Sequence, residues 1–414
     1  MKSEIKVPDR WKVKKLDDLS TIKGRVGWRG YTVDDLRDSG PIAIGANNIS
    51  NSNKIILDNS AHISKEKYEE SPEIIVKRGD ILVVQRGSLG KIGLINLNIG
   101  EATINPSMIL VKNITISNQY LYFFLCSRTI QKRINSFKTQ TGVPMISQKQ
   151  CKNLKILIPP EKEQQKIADI LSKVDEQIDF NEKIISKTEE LKKGLMQKLF
   201  TKGIGHTKFK KTELGEIPEE WEIKKLKKLF RIIDYRGRTP PFSERGIPYI
   251  GANNVKEGVL DLRDKRFVDE ETYSKYMNRG IPSKNSLLFT TEAPLGNVCL
   301  SPNYKFCIAQ RVIAFEPFFK GCHKFFKYLL MTKKNKKQFY NWATGTTVKG
   351  ISSRNLNFIR LFYSKDIKEM IIIGDILSKV DEQIQDNKKE LNRLNELKKG
   401  LMQDLLTGKV RVTV

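Results

Sequence analysis

Histidine is scarce in these 414 residues: His62, His206 and His323 stand far apart, with no metal-ligand spacing among them. Neither a zinc site nor a histidine-based catalytic triad is expected, and no metal or cofactor is assigned to the chain. Cysteine is also sparse. Cys126, Cys151, Cys299, Cys307 and Cys322 form no CxxC pair and leave one over, so they read as reduced thiols packed as small apolar groups. No apolar run approaches ~18 residues, so no membrane span is expected. Met1 to Trp11 is charged and lacks a signal-peptide core, which makes the cytoplasm the expected location. Acid is the minority charge: 47 Asp and Glu against 74 Lys and Arg leave a net +27. An excess of that size points to a polyanion, most commonly nucleic acid, with a merely well-solvated basic surface as the alternative.

What the chain does have is a copy of itself. Asp169-Ile-Leu-Ser-Lys-Val-Asp-Glu-Gln-Ile178 returns as Asp375 to Ile384, and Leu191-Lys-Lys-Gly-Leu-Met-Gln197 returns as Leu397 to Gln403, both at an offset of 206. The chain is a tandem duplication, and its length calls for several domains. Each copy opens on a tryptophan, Trp11 or Trp221, followed by two leucines, and each carries Ile-Gly-Ala-Asn-Asn at 44–48 or 250–254. Short β-like runs (Asp80 to Val84, Lys91 to Ile95, Ser286 to Thr290) alternate with helical ones (Gln119 to Asn135, Lys324 to Phe339). These predict a mixed α/β domain of about 150 residues in each copy.

The identical stretches belong to long amphipathic helices. Leu171, Val174, Ile178, Ile185, Leu191, Leu195 and Leu199 form one apolar stripe. Ile373, Leu377, Val380, Ile384, Leu391, Leu394, Leu397, Leu401 and Leu405 form the other. About 40 residues at 1.5 Å each give rods of roughly 60 Å, the first starting after Pro159-Pro160. Asn181 and Asn387 fall at matching places on the stripes, either as buried register-fixing amides or at splayed, wet positions. Gly194 and Gly400 either admit a partner closely or end the regular helix. The expected layout is globule (1–158), rod (159–205), globule (206–363), rod (364–414). If the rods pack as an antiparallel coiled coil, the α/β globules are related by a pseudo-twofold axis. Near-identical rods imply one kind of partner met twice; divergent globules imply two different ligands.

Catalytic signatures are thin. Gly87-Ser-Leu-Gly-Lys91 lacks the phosphate-loop frame. Thr239-Pro-Pro-Phe242 resembles the Asp/Asn-Pro-Pro-Tyr/Phe signature of amino-methyltransferases, but a threonine replaces its amide or carboxylate, so a turn is the better reading. Nucleic-acid contacts have better candidates. An aromatic-Arg-Gly-x-Thr loop occurs twice, with Trp28, Arg29 and Tyr31 (and Arg25 before them) against Tyr235, Arg236, Arg238 and Thr239. Arginine forks grip guanine or phosphate, and glycine admits close backbone approach. Asn47, Asn48, Asn253 and Asn254 suit adenine edges, or else close a turn. A second loop diverges between copies, Gln85 to Gly90 with Arg86 (and Lys91 just after it) facing Thr291 to Gly296 with Thr291, and Arg311 further on. A third sets Lys138 and Gln140 against Trp342 to Thr346, which ends on the candidate Thr346. Unlike tips on a common frame suit two base readouts, and neutral drift after duplication would look the same.

In order along the chain, Gly215-Glu-Ile-Pro218 with Trp221, Gly246 to Ile250, and Leu89-Gly90 with Leu295-Gly296 make a series. Gly142 with Ile146-Ser147, Gly345 with Ile351-Ser352, and Pro159-Pro160 with Glu163-Gln164 and Ile167 complete it. The series resembles the DNA-specificity subunits of type I restriction–modification systems. The resemblance implies two target-recognition domains, each reading half of a split double-stranded DNA site, and helices that measure the unread gap. It also implies two methyltransferase subunits docked on those helices and a separate restriction subunit. Methylation with S-adenosylmethionine would belong to the methyltransferase, and this chain would be non-catalytic. Copy two departs from the pattern, with Glu369-Met370 in place of Glu163-Gln164 and no double proline; the first domain has Gly40-Pro-Ile-Ala-Ile44 for Gly-Ile-Pro. The competing readings are a self-contained DNA adenine methyltransferase, which would bind S-adenosylmethionine directly, and a coiled-coil scaffold that binds nucleic acid without sequence preference.

Overall fold

The computed structural model describes residues 7–25, 31–137, 144–237, 239–308 and 310–413. It divides into two compact units, residues 1–182 with 390–414, and residues 183–389. The division falls inside both long helices, so chain order and compactness do not coincide.

In the first unit the run Ile81–Val84 is apolar throughout because both its faces are covered. Side chains alternate across a strand, so Ile81 and Val83 enter one core while Leu82 and Val84 enter another. This strand sits inside an antiparallel sheet ordered Thr21–Gly24, Met108–Lys112, Ile81–Val84, Ile92–Leu94. A three-stranded sheet (Ala61–Ile63, Leu36–Ile44, Ala102–Ile104) lies on the second core. Helices α1 (Lys65–Glu69), α2 (Asn118–Cys126), α3 (Arg128–Asn135) and α4 (Gln148–Lys152) follow along the chain, then the long α5 (Glu161–Lys202). The pairing of Lys12–Lys15 with Lys155–Ile158 brings Trp11 beside the start of α5.

The second unit repeats the plan. Its four-stranded sheet runs Phe230–Asp234, Val312–Pro317, Leu287–Thr290, Val298–Leu300, with Leu287 and Phe289 in one core and Leu288 in the other. Its helices are α6 (Glu270–Tyr276), α7 (His323–Met331), α8 (Lys333–Asn341) and the long α9 (Ile367–Leu405). It also holds a hairpin, Phe209–Thr212 with Gly215–Pro218.

Two expected helices are each broken in two. Gln119 to Asn135 divides at Ser127, and Lys324 to Phe339 at Thr332. Both residues are extended (ψ 151° and 145°), and their hydroxyls accept from the N–H of Ile130 (3.5 Å) and Asn335 (3.4 Å). A hydroxyl that caps the next helix competes with continuation of the last one, which periodicity alone does not register.

The long helices explain why two short runs are kept letter for letter. In the first unit Lys398 of α9 pairs with Asp175 of α5 at 2.6 Å. In the second, Lys192 of α5 pairs with Asp381 of α9 at 2.5 Å. Each pair joins the decamer of one copy to the heptapeptide of the other, as antiparallel packing requires. Within the first unit Leu171 and Leu405 share a core, and within the second Leu199 and Leu377 do.

Leu171, Ile178, Leu377 and Ile384 are buried, and Val174 and Val380 half-buried. Leu191 and Leu397 depart from the stripe, standing 55% and 48% exposed. Gly194 and Gly400 do not end their helices, which run on to Lys202 and Leu405. The Asn181 Oδ1 and the Asn387 Nδ2 are buried without a hydrogen-bond partner among the described residues, the costly kind of buried amide.

Candidate nucleic-acid interface

In both units the central strand delivers its chain into a loop stitched to two others. In the first, Gln85 N donates to Ser107 O and Ile146 N donates to Gln85 O, each at 2.9 Å. In the second, Thr291 N donates to Arg311 O and Ile351 N to Thr291 O, again at 2.9 Å. The frame is common, and the tips differ. Arg86 is exposed in the first unit, its backbone bridged to Met145. In the second, Arg311 Nε meets Glu292 Oε1 at 2.9 Å, and Glu292 bridges Gly350. Arg311 holds a left-handed backbone (φ 74°), a strained conformation for a side-chain-bearing residue and one that collects at functional sites.

The asparagine pairs split the same way in both copies. Asn48 Oδ1 accepts from Gly45 N at 2.9 Å while its amide donates to Ile56 O and Ser60 Oγ. Asn254 accepts from Gly251 N at 3.0 Å and donates to Asp261 O and Asp264 O. These two buried amides close the turns, whereas Asn47 and Asn253 beside them are exposed. Asn254→Ala is therefore expected to cost about 1–3 kcal/mol by orphaning a buried N–H and two carbonyls. Asn253→Ala should leave thermal unfolding unchanged and weaken binding to the cognate duplex. Equal melting temperatures for the two variants would contradict this division.

Several other candidates also face inward. Arg25 is 5% exposed and donates to Ile104 O (3.0 Å) and Thr103 Oγ1 (3.1 Å), with burial drawing its pKa down. Tyr31 packs with a small cluster around Ile63 and Tyr68. Lys91 donates to Ile49 O at 3.0 Å, the tie that Asn297 makes to Val255 O in the other copy. Tyr235 is fully buried, stacked on Tyr276 and donating to Gly280 O. Thr291 is 2% exposed. Arg236 clasps Asp234 and donates to Ile351 O at 2.7 Å. Burial works to raise the Asp234 carboxyl, but the Arg236 and Ser353 hydrogen bonds bring it down to about 2. These groups have their partners already, so they shape the loops. Trp28, Arg29, Lys138, Gln140 and Arg238 lie outside the described residues.

Thr239 and Thr346 are exposed, and Thr239 Oγ1 donates to Gln310 Oε1 at 2.9 Å. Beside the Thr344–Gly350 turn, Trp342 stacks on Phe358 at 4.3 Å with both rings more than 40% exposed. The copy comparison singles out that segment by its divergence, but exposure of the ring is a tertiary fact. Among the described residues no three His, Cys, Asp or Glu side chains gather as metal ligands. No helix among them is long and apolar enough to cross a membrane.

Two α/β domains with one frame and unlike tips, each seated on helices of repeated sequence, define a duplicated recognition protein. The family model of the type I restriction modification DNA specificity domain matches the chain twice, over residues 8–190 and 218–396. The chain is 30% identical to the type I restriction enzyme MjaVIII specificity subunit of Methanocaldococcus jannaschii, over 99% of this chain and 95% of that one. It is 23% identical to the MjaIX specificity subunit of the same organism, over 98% and 95%. The crystal structure of the type I restriction–modification S subunit from M. genitalium has the same fold, with a TM-score of 0.64 at 18% identity over 98% of each chain. The chain belongs to the family of type I restriction–modification specificity subunits.

Proposed function

We propose that residues 1–158 and 206–363 are two target-recognition domains, each reading one half of a bipartite duplex site through its stitched loops. Asn47 and Arg86 in the first, with Thr239, Asn253, Arg311 and Thr346 in the second, are the exposed polar groups that can reach base edges or phosphates. The long helices, in segments 159–205 and 364–414, set the gap and dock two methyltransferase subunits. Leu191 and Leu397 support the docking role, being exposed leucines at matching places in letter-identical stretches. Methylation and cleavage belong to the methyltransferase and restriction subunits. The target base is unstacked by the methyltransferase, since the chemistry needs it outside the duplex.

The observation that carries this reading is the contrast between repeated helices and unlike tips on a shared frame. Replacing 206–363 by the matching segment of a relative, expressed with the methyltransferase, should alter one half of the methylated sequence. Sequencing the methylated sites would count against independent readers if both halves changed together.

A further inference from the structure

Each long helix begins with a buried glutamate held by the tryptophan that opens its copy. In the first unit Trp11 Nε1 donates to Glu163 Oε2 at 3.1 Å, and in the second Trp221 Nε1 donates to Glu369 Oε2 at 3.0 Å. Glu163 and Glu369 are 1% and 6% exposed, so each carboxylate needs charged or hydrogen-bonding partners. The two units supply them differently. Arg411 grips Glu163 with two donors, Nε to Oε1 at 2.7 Å and Nη2 to Oε2 at 2.8 Å, its guanidinium 5.7 Å from the Trp11 ring centre. The corresponding stretch of the other copy brings His206, whose Nε2 lies 3.0 Å from Glu369 Oε1, with Ile204 N donating to the same oxygen at 2.9 Å.

The imidazole is shorter than the guanidinium and leaves space. A cavity of about 550 Å³ opens there, lined by Glu219, Glu220, Asp366 and Glu369, with Ile204 and Ile372 among its walls. Four carboxylates stand against one lysine, Lys208, and the His206 ring around the hollow, an acidic excess in a chain that carries +27. Such a place repels a duplex and attracts a cation. Ile204 and Ile372 are 40% and 50% exposed; Val410 matches Ile204 in the first copy, but Lys166 stands there in place of Ile372.

We propose that this cavity is a docking site for an arginine side chain carried by the methyltransferase subunit; the choice of partner rests on the function proposed above. Guanidinium is the cation that the tryptophan–glutamate pair already holds in the first unit, through a planar two-donor grip that an ammonium cannot copy. Glu369 lines the cavity, and its Oε2 receives only the Trp221 indole among the contacts described. The isoleucines suit the arginine stem. The cavity is open to solvent, and a residue tethered to a docked partner meets it at a higher effective concentration than a free small molecule does. Its place at the first turn of α9 puts it on the element assigned to methyltransferase docking.

The indole N–H of Trp221 reports on the site, and that of Trp11 is its control within the same molecule. Full-length chain labelled at tryptophan indole nitrogen is titrated with N-acetyl-arginine amide, then with the neutral citrulline analogue. The Trp221 resonance should move saturably with arginine alone while Trp11 stays still. In Arg411→Ala the emptied first site should let Trp11 respond too, and in His206→Arg the Trp221 response should vanish because the cavity is filled from within. His206→Arg should also weaken association with the methyltransferase about tenfold. A Trp221 resonance that ignores arginine, or moves equally with citrulline, overturns the site whether or not Arg411→Ala folds. Undiminished assembly of His206→Arg overturns the choice of partner, whereas failure of the wild-type chain to assemble overturns the functional reading instead.

Discussion

Asp381→Asn should destabilise the second unit by about 3 kcal/mol, the cost of breaking a buried ion pair from one side. Lys192 lies 2.5 Å and Lys327 3.3 Å from the Asp381 carboxylate, and the Tyr328 hydroxyl donates to it at 2.6 Å. The Lys327 side chain is 8% exposed and the Lys192 side chain 18%, so without the aspartate two shielded ammonium groups face each other. Asp175, its counterpart in an identical decamer, should matter far less. It has one lysine, Lys398, and the Tyr122 hydroxyl beside it donates to Asn53 O instead. The two carboxyls move in opposite directions. Burial works to raise both; for Asp381 the hydrogen bonds from Lys192 and Tyr328 outweigh it and the pKa falls, while for Asp175 burial prevails over Lys398 and the pKa rises.

The signs follow from linkage. Asp381, depressed in the folded chain, contributes stability that is fully present above its unfolded pKa and lost as pH falls through the folded one, below the ordinary carboxylate range. Asp175, raised, opposes folding while ionised, and that opposition disappears on acidification. Urea unfolding of both variants at neutral and acid pH is the check. The gap between them should be wide at pH 7 and narrow as pH falls below the ordinary carboxylate range, and equal losses at pH 7 would refute the assignment. Asp375→Asn serves as a control, because its pair with Lys324 is half-exposed and worth little.

Removing seven residues from each long helix, 180–186 and 386–392, should bring the two methylated half-sites closer by about three base pairs. Seven residues at 1.5 Å span about 10 Å, and each base-pair step spans about 3.4 Å. Seven is nearly two whole turns, a drift of only about 20°, so the apolar faces keep their sides. Both Asp–Lys pairs lie outside the deleted stretches, so each unit retains its own helix pairing. The deletion also takes out Asn181 and Asn387, whose partnerless polar atoms weigh against stability. Sequencing the methylated sites reads the result, and an unaltered gap would end the view of the helices as a ruler.

The family, the duplication, the long helices and three of the strands (Ile81–Val84, Ile92–Leu94, Leu287–Thr290) were legible in the residues because each leaves a periodic or repeated trace. The contact surface was legible only in part. Asn-Asn twice over marks a turn or a reader equally well, and burial assigns the second asparagine of each pair to the turn. Tyr235 and Arg236 sit in a loop motif that suits nucleic acid, yet their polar groups are spent on Gly280 and Asp234. Nothing local tells an arginine that clasps a neighbour from one that faces solvent.

By itself the amino-acid order determined that the chain holds two α/β domains with two matched helices, since hydrophobic spacing and repetition are properties of a line of residues. It also marked the runs kept letter for letter, but which of them meet was read only from the structure. Only the tertiary structure decided that one glutamate is gripped by Arg411 and its twin by His206 beside a hollow. It alone moved matching aspartates in opposite directions from the ordinary carboxylate pKa. A side chain's charge state depends on the groups packed around it, and those come from parts of the chain that local spacing does not connect.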